Sequence, residues 1–232
     1  MPKSINIQDF QSVATSLSIP ELEEYILTNF SPEDVDVDPK TEEELYRCYY
    51  NNTDYLYQYL RKTVGGWLFP LSNEVRAIMG HLADYRISDS GCDKKNLDKA
   101  YGHFRRLTLD AFKILCNEFD KSLSRQLKAQ YSFDYRKVCV NYLDHFAEKY
   151  IAAKTKYIDA QCKEKLGSDH GKHNVMRLYY DAAKEYIELK QFYLHNKSKI
   201  VATQRKTKWK NSLRLIGTVF GIAVTVLGYL LA

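Results

Sequence analysis

The chain has 232 residues, enough for one domain or two small ones. Apolar residues make up 45% and charged residues 27%, which excludes a wholly disordered or collagen-like chain. The net charge of +5 is a property of the tail: eight of the 34 cations follow Glu188 and none of the 29 acids does, so 26 cations face 29 acids in residues 1–188. A mildly acidic body argues against broad nucleic-acid binding, which needs clustered Lys and Arg. All five prolines lie at or before Pro70, which favours long helices over a turn-rich β-sandwich for the rest of the chain. Five widely spaced cysteines (Cys48, Cys92, Cys116, Cys139 and Cys162) contain no C-x-x-C pair, so reduced thiols in a cytosolic compartment are expected rather than a disulfide framework or a zinc site. The segment MPKSINIQDF lacks an apolar h-region and is not read as a secretory signal.

In chain order, Ile5–Ser16 and Ser18–Asn29 predict two short helices, the second opened by Pro20. SPEDVDVDPK at 31–40 is an acidic loop; Asp34, Asp36 and Asp38 imitate a calcium loop, but Pro39 stands where Gly is needed and Leu45 occupies the twelfth position. Thr41 and Glu44 form a capping box that opens a helix to about Val64, stopped by Gly65-Gly66. A helix that begins after Ser72-Asn73 and runs to about Ile87 carries the stripe Val75, Ile78, Met79, Leu82. Asn96–Tyr131 carries Leu97, Ala100, Tyr101, Phe104, Leu107, Thr108, Ala111 and Leu115, and Tyr135–Leu166 continues with Tyr135, Val138, Tyr142, Phe146, Ala153 and Tyr157. After the polar loop GSDHGKH, Val175, Tyr179, Ala182, Tyr186, Leu189 and Tyr193 form a heptad seam suited to a bundle. The 19 tyrosines are expected to fill the core with their hydroxyls at its rim, although aromatic rings can also stack on unpaired bases.

Leu215–Ala232 is an 18-residue run without a charge. At 1.5 Å per residue it measures about 27 Å, enough for a thin hydrocarbon core, and it predicts a C-terminal transmembrane anchor. Arg205, Lys206, Lys208, Trp209, Lys210 and Arg214 flank it as interfacial residues and favour a cytoplasmic body. Gly217, Gly221 and Gly228 fall within about 40° of one another around the helix and form a narrow face for self-association in lipid. No Pro separates the heptad seam from this run, so one helix from about Asn174 to Ala232 is possible. The expected domains are an N-terminal helical extension with the acidic loop (1–40), a helical bundle with its stalk (41–208) and the anchor (209–232).

Asp169, His170 and His173 lie in a Gly-flanked loop with no third or fourth ligand in register, so no metal is expected; no phosphate loop, G-x-S-x-G or H-E-x-x-H occurs, and no cofactor is implied. On the helix NEVRAIMGHLADY, Arg76 and His81 make R-x4-H. This motif, on a helix of a small all-α body and followed by another long helix, resembles the HEPN superfamily. Its helical bundles are common in prokaryotic toxin and antiviral systems. The resemblance covers residues 41–200 as architecture and the Arg76–His81 segment as motif. It implies an all-α HEPN-like bundle whose active members are metal-independent ribonucleases, with His81 as general acid or base and Arg76 stabilising the phosphoryl transition state. Ala77 departs from the family, whose catalytic members usually carry a polar residue after the Arg. Five residues apart, Arg76 and His81 stand about 140° apart on a straight helix. They would converge only across a two-fold interface or where Gly80 loosens the turn. The alternative is structural: Glu74, His81 and Tyr85, aligned on one side of the helix, form a hydrogen-bonded packing network and Arg76 pairs with a carboxylate.

In layout the chain is similar to small transmembrane HEPN accessory proteins linked to RNA-targeting CRISPR systems and other antiphage modules. That likeness implies a homo-oligomer at the bacterial inner membrane, in contact with the lipid bilayer and with RNA or an RNA-guided effector complex as further partners, which perturbs the membrane and could line a pore. Two alternatives stay open: a membrane-tethered ribonuclease, and a tail-anchored tethering protein whose Val175–Tyr193 seam binds partner helices.

Overall fold

A computed structural model describes residues 13–35, 40–64, 68–87, 93–131, 141–166 and 172–231. Every regular element among them is helical: a single 3-10 turn at Val13–Thr15, then α1 (Ile19–Thr28), α2 (Pro32–Val35), α3 (Glu42–Cys48), a π-helical turn (Tyr49–Thr53), α4 (Asp54–Val64), α5 (Phe69–Ile87), α6 (Lys94–Tyr131), α7 (Tyr142–Leu166) and α8 (Lys172–Leu231). The all-α expectation holds. The chain divides into two compact units, one from residues 1–121 and 152–187 and the other from 122–151 and 188–232.

Local chemistry sets the helix starts. Ser18 precedes α1, and its backbone N–H donates to the Glu21 carboxylate at 2.7 Å, which satisfies a donor the helix cannot. At α3 the Glu44 N–H donates to Thr41 Oγ1, while the Glu44 side chain accepts from Lys40 N rather than from Thr41. The box is therefore shifted outward by one residue. α5 begins at Phe69, ahead of the expected start after Ser72-Asn73, because Pro70 fits a first turn, where its missing N–H costs nothing. Ser72 lies inside the helix and donates through both N and Oγ to Leu68 O. Asp93 starts α6 by accepting from Lys95 N. α7 starts at Tyr142, after Asn141 with φ of 59°, a left-handed conformation that no α-helix continues through. The expected earlier start, with Tyr135 and Val138, lies outside the described residues, as do most of the expected Ile5–Ser16 helix and the Asp169–His170 loop.

Within the first unit, the α6 stripe Leu97, Ala100, Tyr101, Phe104, Leu107, Thr108, Ala111 and Leu115 is buried in full. Each such Leu or Phe contributes about 2 kcal/mol of apolar burial. On α5, Leu71, Ile78 and Leu82 are buried, but Met79 is 55% exposed and does not belong to the stripe. Tyrosines fill the core as expected, but not all their hydroxyls reach its rim: Tyr59 donates to Glu23 and Tyr101 to Val35 O in buried bonds, while Tyr179 donates to Glu164 and Tyr186 to Asp120 in part-buried ones. Tyr25 stacks on Tyr55 with ring centres 3.5 Å apart and ties α1 to the π turn through Asn51 O.

The π turn was not legible as a break in the helical period. The Asp54 N–H donates to Tyr49 O, five residues back. The wider turn lets three consecutive polar residues, Asn52, Thr53 and Asp54, all point inward. Asn52 Oδ1 accepts from Ser31 N, Asp54 accepts from Gln58, and Thr53 Oγ1 lies 2.6 Å from Thr108 Oγ1 on α6. Thr108 already donates its hydroxyl hydrogen to Phe104 O, so Thr53 is the donor in that pair.

The seam on α8 is buried at Tyr179, Ala182, Tyr186 and Leu189 and half-buried at Val175 and Tyr193. In the second unit Tyr142 stacks on Phe192, with the His145 ring edge-on to the same phenyl at 4.9 Å. Phe146 packs against Tyr193, and the buried Asn196 donates to Phe192 O one turn back.

Candidate functional site

Glu74 and His81 are seven residues apart on α5, so they project from nearly the same side, next to the buried stripe. The facing helix α6 supplies His103 and Arg106, three residues apart and therefore neighbours on its surface. Glu74 Oε2 lies 2.7 Å from His103 Nδ1. A carboxylate accepts, so Nδ1 carries the proton, and in the neutral ring the free lone pair lies on Nε2. Arg106 Nη1 stands 3.7 Å from Glu74 Oε1 with its side chain 62% exposed, a weak screened pair. The His81 ring lies over the His103 ring at 5.2 Å and 23°. Its Nδ1 is buried and has no hydrogen-bond partner among the described residues.

This arrangement brings together two imidazoles, one oriented by a carboxylate, with a guanidinium at the edge. A carboxylate-held imidazole is suited to proton transfer through its free nitrogen. None of these four side chains carries a hydroxyl or thiol.

Arg76 is not part of it. The side chain is exposed on the outward face of α5, and among the described residues it makes no ion pair. α5 is regular through Gly80, where an added Cβ would meet nothing within 4 Å, so the glycine neither loosens the turn nor admits a close neighbour. Arg76 and His81 therefore do not converge within one chain. Of the expected hydrogen-bonded network, Glu74 bonds His103 and His81 stacks on the His103 ring without a hydrogen bond to Glu74; His103, at the centre, was missed by sequence reasoning. His103 sits beside Phe104 and Ala100 at the edge of the α6 stripe; a period analysis of one helix carries no sign of a ring that pairs with another helix.

The Cys48 Sγ donates to Asp34 O, and burial, then the nearby Asp34 charge, pushes its thiol up to about 12. Cys48, Cys116 and Cys162 are free thiols. No cluster of three or more His, Cys, Asp or Glu able to hold a metal occurs among the described residues; His170 and the side chain of His173 are not among them.

α8 runs without interruption for 60 residues, joining the seam to the apolar run. Arg205, Lys206, Lys208, Lys210 and Arg214 are exposed, and Trp209 is 68% exposed. Leu213, Leu215, Ile216 and Ile222 are exposed as well. Gly217 faces open space, with nothing within 4 Å of an added Cβ. Among the described residues no helix is long and apolar enough to cross a membrane. Most of the Leu215–Ala232 run, with Gly221 and Gly228, lies outside the residues whose side chains are described.

Comparison of the chain with family models, with curated proteins and with solved structures found no match.

Proposed function

We propose that the chain is a membrane-anchored, self-associating HEPN-like protein of prokaryotic antiviral defence that acts by perturbing the bilayer. The observation that carries this reading is the unbroken α8, which leads from the buried seam into an apolar run. Exposed Leu213, Leu215, Ile216 and Ile222 support it, since four large apolar side chains left uncovered within ten residues fit contact with lipid or with another protein. Self-association would use the small face at Gly217, Gly221 and Gly228, where backbones can approach closely. The test is dye release from vesicles carrying the full chain, with its mass measured in detergent. Gly221→Ile should abolish both oligomers and release; a monomeric wild type that leaves vesicles intact rejects the reading.

A membrane-tethered ribonuclease is the second reading, and the Glu74–His103–His81 cluster is what favours it. RNA cleavage that disappears in a folded His81→Ala protein and survives removal of residues 209–232 would establish it over the first.

A further inference from the structure

We infer that residues 205–214 of α8 form a cationic collar that binds the phosphate headgroups of anionic phospholipids, so that the anchor selects its lipid neighbours. This rests on the membrane-anchored reading and adds to it the class of lipid.

Arg205, Lys206, Lys208, Lys210 and Arg214 are five exposed cations in ten residues. At 100° per residue they stand at about 0°, 100°, 300°, 140° and 180° around the axis, with no gap wider than about 120°. A helix packed along one side on protein would show exposed charge on the opposite side only. Exposure at every position from 208 to 218 agrees with a segment surrounded by something other than this chain's own core. No Asp or Glu follows Glu188, so nothing on this part of the helix competes with an external anion.

Distance selects the partner. At 1.5 Å per residue the five cations lie within about 15 Å of Leu215, where the uncharged run begins. The headgroup zone of one leaflet is about 5–8 Å deep, and a charge reaches about 8 Å further at physiological salt. All five therefore fall within reach of one leaflet's phosphates. Trp209 sits in the middle of the collar, an exposed amphipathic ring about 9 Å before Leu215 and so at the outer edge of the headgroup zone. RNA would be attracted by the same charges, but it does not explain why the collar adjoins an uncharged run with Trp209 inside it.

Each such cation favours an anionic over a zwitterionic neighbour about fivefold. The probe is Trp209 fluorescence in the full chain carrying Trp67→Phe, reconstituted into phosphatidylcholine vesicles with a tenth of the lipid as brominated phosphatidylglycerol or, in a parallel sample, brominated phosphatidylcholine. Brominated phosphatidylglycerol should quench Trp209 about threefold more strongly. High salt should erase the difference, as should Gln at Arg205, Lys206, Lys208, Lys210 and Arg214, with helix content unchanged. Equal quenching by the two lipids, or a difference that survives both high salt and the Gln variant, overturns the collar while leaving the anchor standing. Quenching by neither means that Trp209 is not within the headgroup layer, and the collar falls; if the chain also fails to float with the vesicles, the anchored reading falls with it.

Discussion

Glu74 and His103 are joined by a 2.7 Å hydrogen bond across the α5–α6 seam, each half-buried or less exposed, and this bond sets the orientation of the imidazole on which His81 rests. Glu74→Ala removes it and should cost about 1–3 kcal/mol, read as a lower urea midpoint in mild detergent. Glu74→Gln can still accept from Nδ1–H, so most of that loss should be recovered. A Gln variant as unstable as the Ala variant would mean that the carboxylate's charge, not its acceptor geometry, matters here.

The buried Thr53–Thr108 pair joins the π turn to α6 at 2.6 Å. Thr53→Val leaves a hydroxyl on α6 without its donor and should destabilise by about 1–2 kcal/mol. Adding Thr108→Val removes both polar groups, so the double variant should lose less than the sum of the single losses. Strict additivity in denaturation would show that the two hydroxyls are energetically independent.

Cys48 and Cys162 should differ in reactivity. With a thiol pushed up to about 12, Cys48 is thiolate in only about one molecule in ten thousand near pH 8, whereas Cys162 is exposed. Brief alkylation followed by peptide mass mapping should label Cys162 and spare both Cys48 and the buried Cys116. Early labelling of Cys48 would mean that the Asp34 segment opens readily.

Hydrogen bonds from Ser18, hydroxyl first and backbone N–H second, hold the Glu21 carboxyl below its ordinary range. A carboxylate whose folded value is depressed stabilises fully above its unfolded value, and that contribution fades as pH falls through the folded one. Glu21→Gln should therefore be slightly less stable than wild type at neutral pH, with the gap closing as pH falls below Glu21's depressed folded value. A gap that persists in acid would locate the effect in helix propensity instead.

Gly217→Ala adds a methyl group where the chain itself has open space. Thermal stability of the monomer should be unchanged, while the oligomer formed in detergent should weaken severalfold if this face packs helix on helix. Sedimentation of both forms in one detergent decides it.

The α6 stripe and the α8 seam were readable in the sequence because one long helix facing one core repeats its apolar positions faithfully. Met79 was misassigned since it lies one residue beyond Ile78, where adjacency on the sequence is a 100° turn on the helix. The early start of α5 turns on Pro70, which reads as a breaker unless it sits in a first turn. Glu74 and His81 could be aligned from their spacing; His103 could not, because its role depends on the packing of α5 against α6. The π turn was hidden for a related reason: Asn52, Thr53 and Asp54 are polar, and only tertiary hydrogen bonds show them to be inside.

Length changes inside a helix are normally ruinous, since losing one residue swings everything downstream by about 100°. The stretch Tyr49–Thr53 is the place where this chain has already absorbed a surplus residue. Shortening it by one would restore ordinary winding and keep Leu45 on one side and Leu56, Tyr59 and Leu60 on the other aimed at the same interior. What would vanish is the simultaneous inward aim of Asn52 and Thr53. The same excision anywhere in the middle of α6 would have no such reserve to draw on.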